Sequence, residues 1–253
     1  VVPRRAEGVT AIEVCGPVRV RRPDGTEVVP SRRRVRQLLA LLCLHERVRR
    51  EVVCELLWPG VEPSRARNNL RVNLTHVRAA LEPDRAKGEP SLFVIDEADH
   101  LRLPAAESLV CDLWELRAHL TAGGAAERQG AEEATAHFRS AIELWADPVA
   151  EDLRTIDDAE ETGAALSLEV AALERELFQR GCQVAQRALA VGDLDDAVTV
   201  ARRLRSADPH DERPLLVLVA AALAGNDLDG AVAPRDELLG VIGDLGLGPS
   251  HDA

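Results

Sequence analysis

Residues 63–81, "PSRARNNLRVNLTHVRAAL", concentrate side chains that can hydrogen bond to a nucleic acid. The stretch holds four arginines and no aspartate or glutamate. Arginine can donate two hydrogen bonds to guanine or to phosphate, asparagine can pair with adenine, and threonine and valine can contact the thymine methyl group. On a helical wheel, the polar arc and its flanks carry the candidate contacts Arg65, Arg67, Asn68, Asn69, Arg71, Val72, Thr75, His76 and Arg78.

The opposite side of this helix is apolar, and it predicts how the helix is held. Ala66, Leu70, Leu74, Val77 and Leu81 fall within an arc of about 80° and must face a core. A solvated surface helix normally mixes glutamate with arginine, because opposite charges four residues apart stabilise it. The missing carboxylates therefore favour nucleic-acid recognition over an ordinary solvated face.

The charge of the chain is divided between its two halves. The 253 residues carry a net charge of −12, yet residues 1–103 hold 19 Arg and Lys against 14 Asp and Glu, and residues 104–253 hold 12 against 29. A polyanion would be attracted by the first half and repelled by the second. We therefore expect two domains with different partners, formed by residues 1–104 and residues 105–253.

The first half has the element order of a winged helix. Asp24-Gly25 lies between alternating apolar and polar residues, which predicts a small antiparallel sheet in residues 11–30. Helical spacing then predicts three helices, in residues 31–46, 49–60 and 64–81.

A predicted hairpin closes this half. The stretch "SLFVIDEADHLRLP" is typical of two strands joined by a turn. In this turn Asp96, Glu97 and Asp99 are expected to point toward the position that a DNA phosphate would occupy. Arg102 is expected to be the only cation nearby, and it is a further candidate DNA contact.

From Leu109 onward we expect helices throughout, and part of the pattern repeats. The stretch "GDLDDAV" at 192–198 returns as "NDLDGAV" at 226–232, an offset of 34 residues. This period is typical of tetratricopeptide-type helix pairs, and residues 130–148 resemble a third unit. The expected fold is mainly α with a small β part: a winged helix-turn-helix with an N-terminal β-sheet and a C-terminal hairpin, followed by an all-α tetratricopeptide-like repeat domain.

These segments resemble a known family. "AIEVCGPVRVRRPDGTEVVP", "RRRVRQLLALLCLH" and above all "LLWPGVEPSRARNNLRVNLTHVRAAL" are similar to the DNA-binding domain of the Streptomyces antibiotic regulatory proteins, relatives of OmpR-type winged helices. The stretch from "VCDLWELRAHL" to "DELLGVIGDLGLGPS" is similar to the bacterial transcriptional activator domain that follows it in that family. The resemblance implies a recognition helix at 64–81 in the major groove, with the preceding helix bracing the turn.

Other classes of protein find little support in the sequence. It has no phosphate-binding glycine loop, no zinc-protease helix and no C-x-x-C pair, so we expect no enzyme, no cofactor and no metal site. It has no apolar run of 18 residues and no signal peptide, so we expect a cytoplasmic location without membrane contact. The chain lacks methionine, and we expect it to be part of a longer protein.

Buried, reduced thiols are expected at Cys15, Cys43, Cys54, Cys111 and Cys182.

Two functional hypotheses remain open. The first is a sequence-specific transcriptional regulator, an activator, that binds double-stranded DNA through helix 64–81 and contacts RNA polymerase or another protein through its helical repeats. A homodimer would enlarge the modest footprint of one winged helix. The alternative is a protein–protein interaction or scaffold module, in which the repeats bind a partner and the winged helix no longer contacts DNA.

Overall fold

The computed structural model describes residues 8–45, 47–86, 88–103, 107–129, 133–145, 148–156 and 161–244. The chain divides into two compact units. The first comprises Val1–Ala118 and Glu143–Glu174, and the second comprises His119–Ile142 and Arg175–Ala253. The predicted domain boundary between residues 104 and 105 lies outside the described residues and stays a prediction.

The strands and helices predicted for the first half are present in the predicted order, and two further short strands, Val48–Arg49 and Leu109–Cys111, were not predicted. They are β1 (Thr10–Glu13), β2 (Arg19–Arg21), β3 (Glu27–Val28), α1 (Arg33–Leu44), β4 (Val48–Arg49), α2 (Arg50–Leu57), α3 (Pro63–Leu81), β5 (Ile95–Glu97), β6 (His100–Arg102) and β7 (Leu109–Cys111). The later elements are α4 (Asp112–Arg128), α5 (Glu133–Leu144), a 3₁₀ helix (Glu151–Thr155), α6 (Glu161–Val191), α7 (Leu194–Ala207), α8 (Arg213–Ala224) and α9 (Leu228–Asp244).

The N-terminal sheet has the strand order β3-β2-β1-β7. Its first three strands are antiparallel, as predicted, with Ile12 opposite Val20 and Val20 opposite Val28. The expectation of helices throughout from Leu109 was wrong, because β7 pairs in parallel with β1 and places Ile12 opposite Cys111. Three residues are too few to show a period of two, so only the pairing partner distinguishes this strand.

Helix α1 lies at the centre of the first unit. It contacts both α2 and α3, and it is buried on nearly all sides from Val35 to Leu44. Its last carbonyl groups accept hydrogen bonds from the start of α4: Trp114 Nε1 donates to Cys43 O at 2.8 Å, and Arg117 donates to Leu44 O. These donors satisfy groups that a helix end otherwise leaves without partners.

The 3₁₀ helix is a second departure from the predicted run of α-helices, and it attaches to α1 through polar contacts. Asp152 accepts a hydrogen bond from Arg36 Nε at 2.8 Å, and its carbonyl oxygen accepts one from Gln37 Nε2 at 3.2 Å. Gln37 is fully buried, and its Oε1 accepts from Arg34 at 2.8 Å. A buried amide requires such partners, and the helical periodicity of α1 did not single it out.

The second unit contains the predicted 34-residue repeat. Gly192 and Asn226, 34 positions apart, both have left-handed backbone conformations with φ of 83° and 57°. At the next position, Asp193 N donates to Ala188 O and Asp227 N donates to Ala222 O, each at 2.9 Å. The same turn therefore precedes α7 and α9, which confirms the repeated helix start. Left-handed residues of this kind commonly end helices, and glycine and asparagine tolerate them best.

Two further expectations can be compared with the structure. All five cysteines are buried thiols, as predicted. None of the helices within the described ranges combines the length and apolar character that a membrane crossing requires.

Candidate nucleic-acid interface

The candidate recognition helix α3 begins at Pro63 and is capped by the residue before it. The carboxylate of Glu62 accepts the backbone N–H groups of Ser64 at 3.0 Å and Arg65 at 3.1 Å, and also the Ser64 hydroxyl. Proline suits the first helical position because its missing N–H would have no intrahelical partner there. The hydrogen bond from the Ser64 hydroxyl, followed by those from the backbone N–H groups, lowers the pKa of Glu62.

The opposite end of α3 has a cationic cap that the sequence did not reveal. The guanidinium of Arg22, just after β2, donates from Nε to Ala80 O and from Nη2 to Ala79 O, each at 3.1 Å. A positive charge at a helix C-terminus is stabilising, because the unpaired carbonyl groups there carry partial negative charge. The cap spans 57 and 58 residues of sequence, so only the fold could show it.

The apolar stripe of α3 is buried, as predicted. Leu70 and Val77 are fully inaccessible, and the remaining members of the stripe, Ala66, Leu74 and Leu81, are no more than 3% exposed. Both α1 and α2 contact α3, so this stripe holds the helix against the core of the first unit. The stripe thereby determines which side of α3 faces outward.

The predicted contact residues lie on the outward side to different degrees. Six are exposed: Arg65, Arg67, Asn68, Arg71, Val72 and Thr75. Asn69, His76 and Arg78 are half-buried on the flanks. On the exposed face, Arg71 Nη2 donates to Asn68 Oδ1 at 3.1 Å, so one side chain helps to orient the other. At 19 residues the helix is roughly 28 Å long, and the major groove of B-DNA is wide enough for a helix.

The hairpin after α3 pairs with β4 in a small sheet of order β4-β6-β5. The expectation that Arg102 is the only cation near its carboxylates was wrong. Asp96 is paired with Arg50 and with Arg78. Glu97 is paired with Arg47 at 2.9 Å and with Arg102 at 3.0 Å. The hydrogen bond from Arg102 lowers the pKa of Glu97, and the Arg47 charge acts in the same direction.

Two of the predicted contact arginines are therefore paired with carboxylates of the hairpin. Arg78 Nη2 donates to Asp96 at 3.4 Å, and Arg102 Nε donates to Glu97. Successive residues of a strand point to opposite faces, which explains how the adjacent carboxylates of Asp96 and Glu97 serve different arginine pairs. Asp96 and Glu97 are thus held by arginines of α2, α3 and β6 and by Arg47, the residue before β4.

The side chains on this surface are suited to binding a polyanion. The exposed guanidinium and amide groups of α3 donate hydrogen bonds to base edges or phosphates, and none of them provides a nucleophile or a general base. Within the described ranges no group of three or more His, Cys, Asp or Glu side chains could hold a metal ion.

Comparisons with known proteins show which proteins the chain is similar to. Residues 111–231 match the protein family described as the bacterial transcriptional activator domain. Over 230 residues the chain is 26% identical to the transcriptional regulatory protein EmbR of Mycobacterium bovis and of Mycobacterium tuberculosis. The matched region covers 89% of this chain and 57% of each relative. The chain therefore spans little more than half the length of the curated relatives it matches.

A solved structure shares the fold. The structure of Mycobacterium tuberculosis EmbR in complex with a low-affinity phosphopeptide matches with a TM-score of 0.65 at 23% sequence identity, covering 96% of this chain and 62% of that chain. The likeness confirms the expected fold class, a mainly helical chain with a winged helix and helical repeats.

Proposed function

We propose that the chain, whose residues 111–231 match the bacterial transcriptional activator domain, is a member of the Streptomyces antibiotic regulatory protein family. We further propose that it is a sequence-specific DNA-binding regulator that places α3 in the major groove. The observation that carries the proposal is the exposed Arg and Asn face of α3, opposite a fully buried apolar stripe. A helix held in this way presents a rigid cationic surface, and a rigid helix with its donors pre-positioned is what major-groove recognition uses.

The proposed contacts are divided by their position on α3. Arg65, Asn68 and Arg71 lie on the exposed face and would contact base edges or phosphates. Arg67 and Asn69 lie on the two flanks and would contact the backbone on either side of the groove. Arg contacts with guanine and Asn contacts with adenine would supply sequence discrimination, whereas phosphate contacts would supply affinity that depends on salt.

The remaining roles follow from the class of regulator. We infer an activator that works in the cytoplasm, where bacterial DNA lies, and that is not an enzyme. Its helical repeats would contact RNA polymerase or another protein, and a homodimer would let two winged helices bind neighbouring half-sites.

The test is a binding titration with the full chain. Duplexes would first be selected by the protein from a random pool, and affinity for them would be compared with that for unselected DNA at several salt concentrations. The variant Arg65→Ala/Asn68→Ala/Arg71→Ala should bind the selected duplex at least 100-fold more weakly, because each base-contacting side chain contributes about 1–3 kcal/mol.

The matched control is Arg175→Ala/Arg187→Ala, which removes two exposed arginines from α6 and the same amount of charge. It should retain most of the affinity of the parent chain. Equal binding of selected and random DNA would contradict sequence specificity. If the α3 variant binds DNA as the parent does and still captures a protein partner, the interaction-module alternative is the better account.

A further inference from the structure

Outside the exposed face of α3, two arginines share one carboxylate. Asp96, in the middle of β5, accepts hydrogen bonds from Nη1 of Arg50, the first residue of α2, and from Nη2 of Arg78 in α3 at 3.4 Å. Two guanidinium charges thus face one carboxylate charge. The cluster retains one positive charge at the place where the hairpin, α2 and α3 meet.

The hydrogen bonding of this cluster is incomplete. The Nε–H of Arg78 is buried and has no acceptor among the described residues. Its bond to Asp96, at 3.4 Å, exceeds the usual length of 2.7–3.2 Å for a hydrogen bond of this type. A buried donor without an acceptor is unfavourable, so the guanidinium of Arg78 is only partly satisfied within the protein.

The cluster is also within reach of a ligand. The side chains of Arg50 and Arg78 are 23% and 20% exposed, and that of Asp96 is 38% exposed. The two arginines are partly withdrawn from water, which strengthens their attraction to an anion compared with fully solvated arginines. The carboxylate is the most accessible of the three groups and is therefore the one that an incoming anion can replace.

We propose that Arg50 and Arg78 form a binding site for a DNA backbone phosphate, and that Asp96 occupies this site until DNA binds. A phosphate presents several acceptor oxygens to the guanidinium donors and balances the positive charge that Asp96 leaves. The inference rests on the proposed function and adds a contact point beside the exposed face of α3. Asp96 then sets the affinity for DNA by competing with the phosphate.

The test compares two single substitutions that remove the same charge from the same hairpin. Asp96→Asn breaks the contact with both arginines, whereas Asp99→Asn removes a 74%-exposed carboxylate whose described partner is His100. Affinity of the full chain for its selected duplex would be measured by fluorescence anisotropy between 50 and 200 mM salt. We expect Asp96→Asn to bind about 3- to 10-fold tighter at each salt concentration, because the phosphate no longer competes with a carboxylate. The phosphate contact and its share of about 0.9 in the salt slope are present in both complexes.

The control variant should change affinity by less than about twofold. Adding Arg50→Ala and Arg78→Ala to Asp96→Asn should abolish the gain. Unchanged or weaker binding by Asp96→Asn would overturn the proposal, and so would an equal gain from Asp99→Asn. Circular dichroism would establish that each variant is folded.

If Asp96→Asn does not fold, Arg50→Ala in the otherwise unchanged chain replaces it. This variant should flatten the salt slope by about one, and an unchanged slope would overturn the proposal. These experiments distinguish failure of this inference from failure of the proposed function. A parent chain that binds selected and random duplexes alike refutes sequence-specific binding itself, whereas specific binding that is indifferent to Asp96, Arg50 and Arg78 refutes this inference alone.

Discussion

The carboxylate of Asp112 accepts the backbone N–H of Val14 with both oxygens, at 2.9 and 3.0 Å, although 98 residues separate the two in the chain. The same carboxylate accepts the N–H groups of Cys15 at 3.0 Å and Leu113 at 2.7 Å. Asp112 is 7% exposed and lies where β7 ends and α4 begins. It therefore connects the end of β1 to the first turn of α4 inside the first unit.

Replacement of this carboxylate should destabilise the first unit strongly. Asp112→Ala leaves three backbone N–H groups without their acceptor, and we expect the free energy of unfolding to fall by about 3–5 kcal/mol. Urea unfolding would be followed by tryptophan fluorescence, since all three tryptophans, Trp58, Trp114 and Trp145, belong to the first unit. The exposed Asp229 of α9 provides the control, and Asp229→Ala should leave this transition unchanged. A loss below about 1 kcal/mol for Asp112→Ala would show that water replaces the carboxylate.

The N-cap of α3 should give stability that depends on pH. The Ser64 hydroxyl and the backbone N–H groups of Ser64 and Arg65 lower the pKa of Glu62 from its usual 4.5, so folding favours the ionised form. The stabilisation is complete above pH 4.5 and is lost as the pH falls through the lowered value in the folded state. Glu62→Gln should therefore lower the urea midpoint at neutral pH, and the difference from the parent chain should disappear in acid.

The control for this experiment is Glu55→Gln, which changes an exposed glutamate of α2. Its effect on the midpoint should be small at every pH. A difference between Glu62→Gln and the parent chain that persists unchanged in acid would contradict the role of the ionised cap.

Two glycines of the second unit should respond in opposite ways to alanine. A Cβ at Gly181 would lie 2.6 Å from Leu204 Cδ2 and 3.3 Å from Ile142 Cδ1, and both neighbours are buried. Gly181→Ala should therefore destabilise the second unit by about 1–3 kcal/mol, because a tightly packed site cannot accept the extra methyl group. A Cβ at Gly240 would meet no heavy atom within 4 Å among the described residues outside its own helix backbone.

Gly240→Ala should be neutral or stabilising by up to about 1 kcal/mol, because alanine loses less backbone entropy in a helix. Thermal unfolding followed by circular dichroism would measure both variants. Equal midpoints for the two variants would show that α6 and α7 can move apart without cost.

The buried cysteines should be slow to react in the native state. Burial raises the pKa values of Cys43 and Cys54, and it raises that of Cys182 to about 11. Thiolates are the reactive form, so labelling with a disulfide reagent at pH 8 should be slow until urea is added. Site-resolved mass spectrometry would give the rate for each thiol. Rapid labelling of Cys182 at pH 8 without urea would contradict its burial.

The same shift predicts a loss of stability at high pH. Folding favours the neutral thiol of Cys182, so its contribution is complete below pH 9 and declines as the pH rises toward 11. Cys182→Ser removes this titration, and its stability should fall less steeply than that of the parent chain over the same pH range.

The geometry of Arg71 can be separated from its charge. Arg71→Lys keeps the positive charge but loses the planar pair of donors that Asn68 helps to orient. If Arg71 contacts a base, discrimination between the selected duplex and a duplex with one altered base pair should fall by about 10-fold or more, while the salt slope stays unchanged. Preserved discrimination would assign Arg71 to the phosphate backbone.

Much of α3 and of the repeat could be predicted, because both depend on local spacing. A period of 3.6 residues placed Leu70 and Leu74 on the buried side of α3 and left Arg65 and Arg71 outside. The 34-residue offset located Asp193 and its counterpart at the starts of α7 and α9. Neither pattern needs information about distant parts of the chain.

The amino-acid sequence by itself determined the order of helices, the outward face of α3 and the repeat, because burial of apolar side chains follows a period that short stretches carry. Only the tertiary structure decided the partners of Asp96, Glu97 and Asp112 and the pairing of β7, because each depends on groups brought together from distant positions. The sequence shows that an acidic turn follows α3. Only the structure shows that Asp96 of this segment is paired with both Arg50 and Arg78. Charges act through space, and their distances exist only in the folded chain.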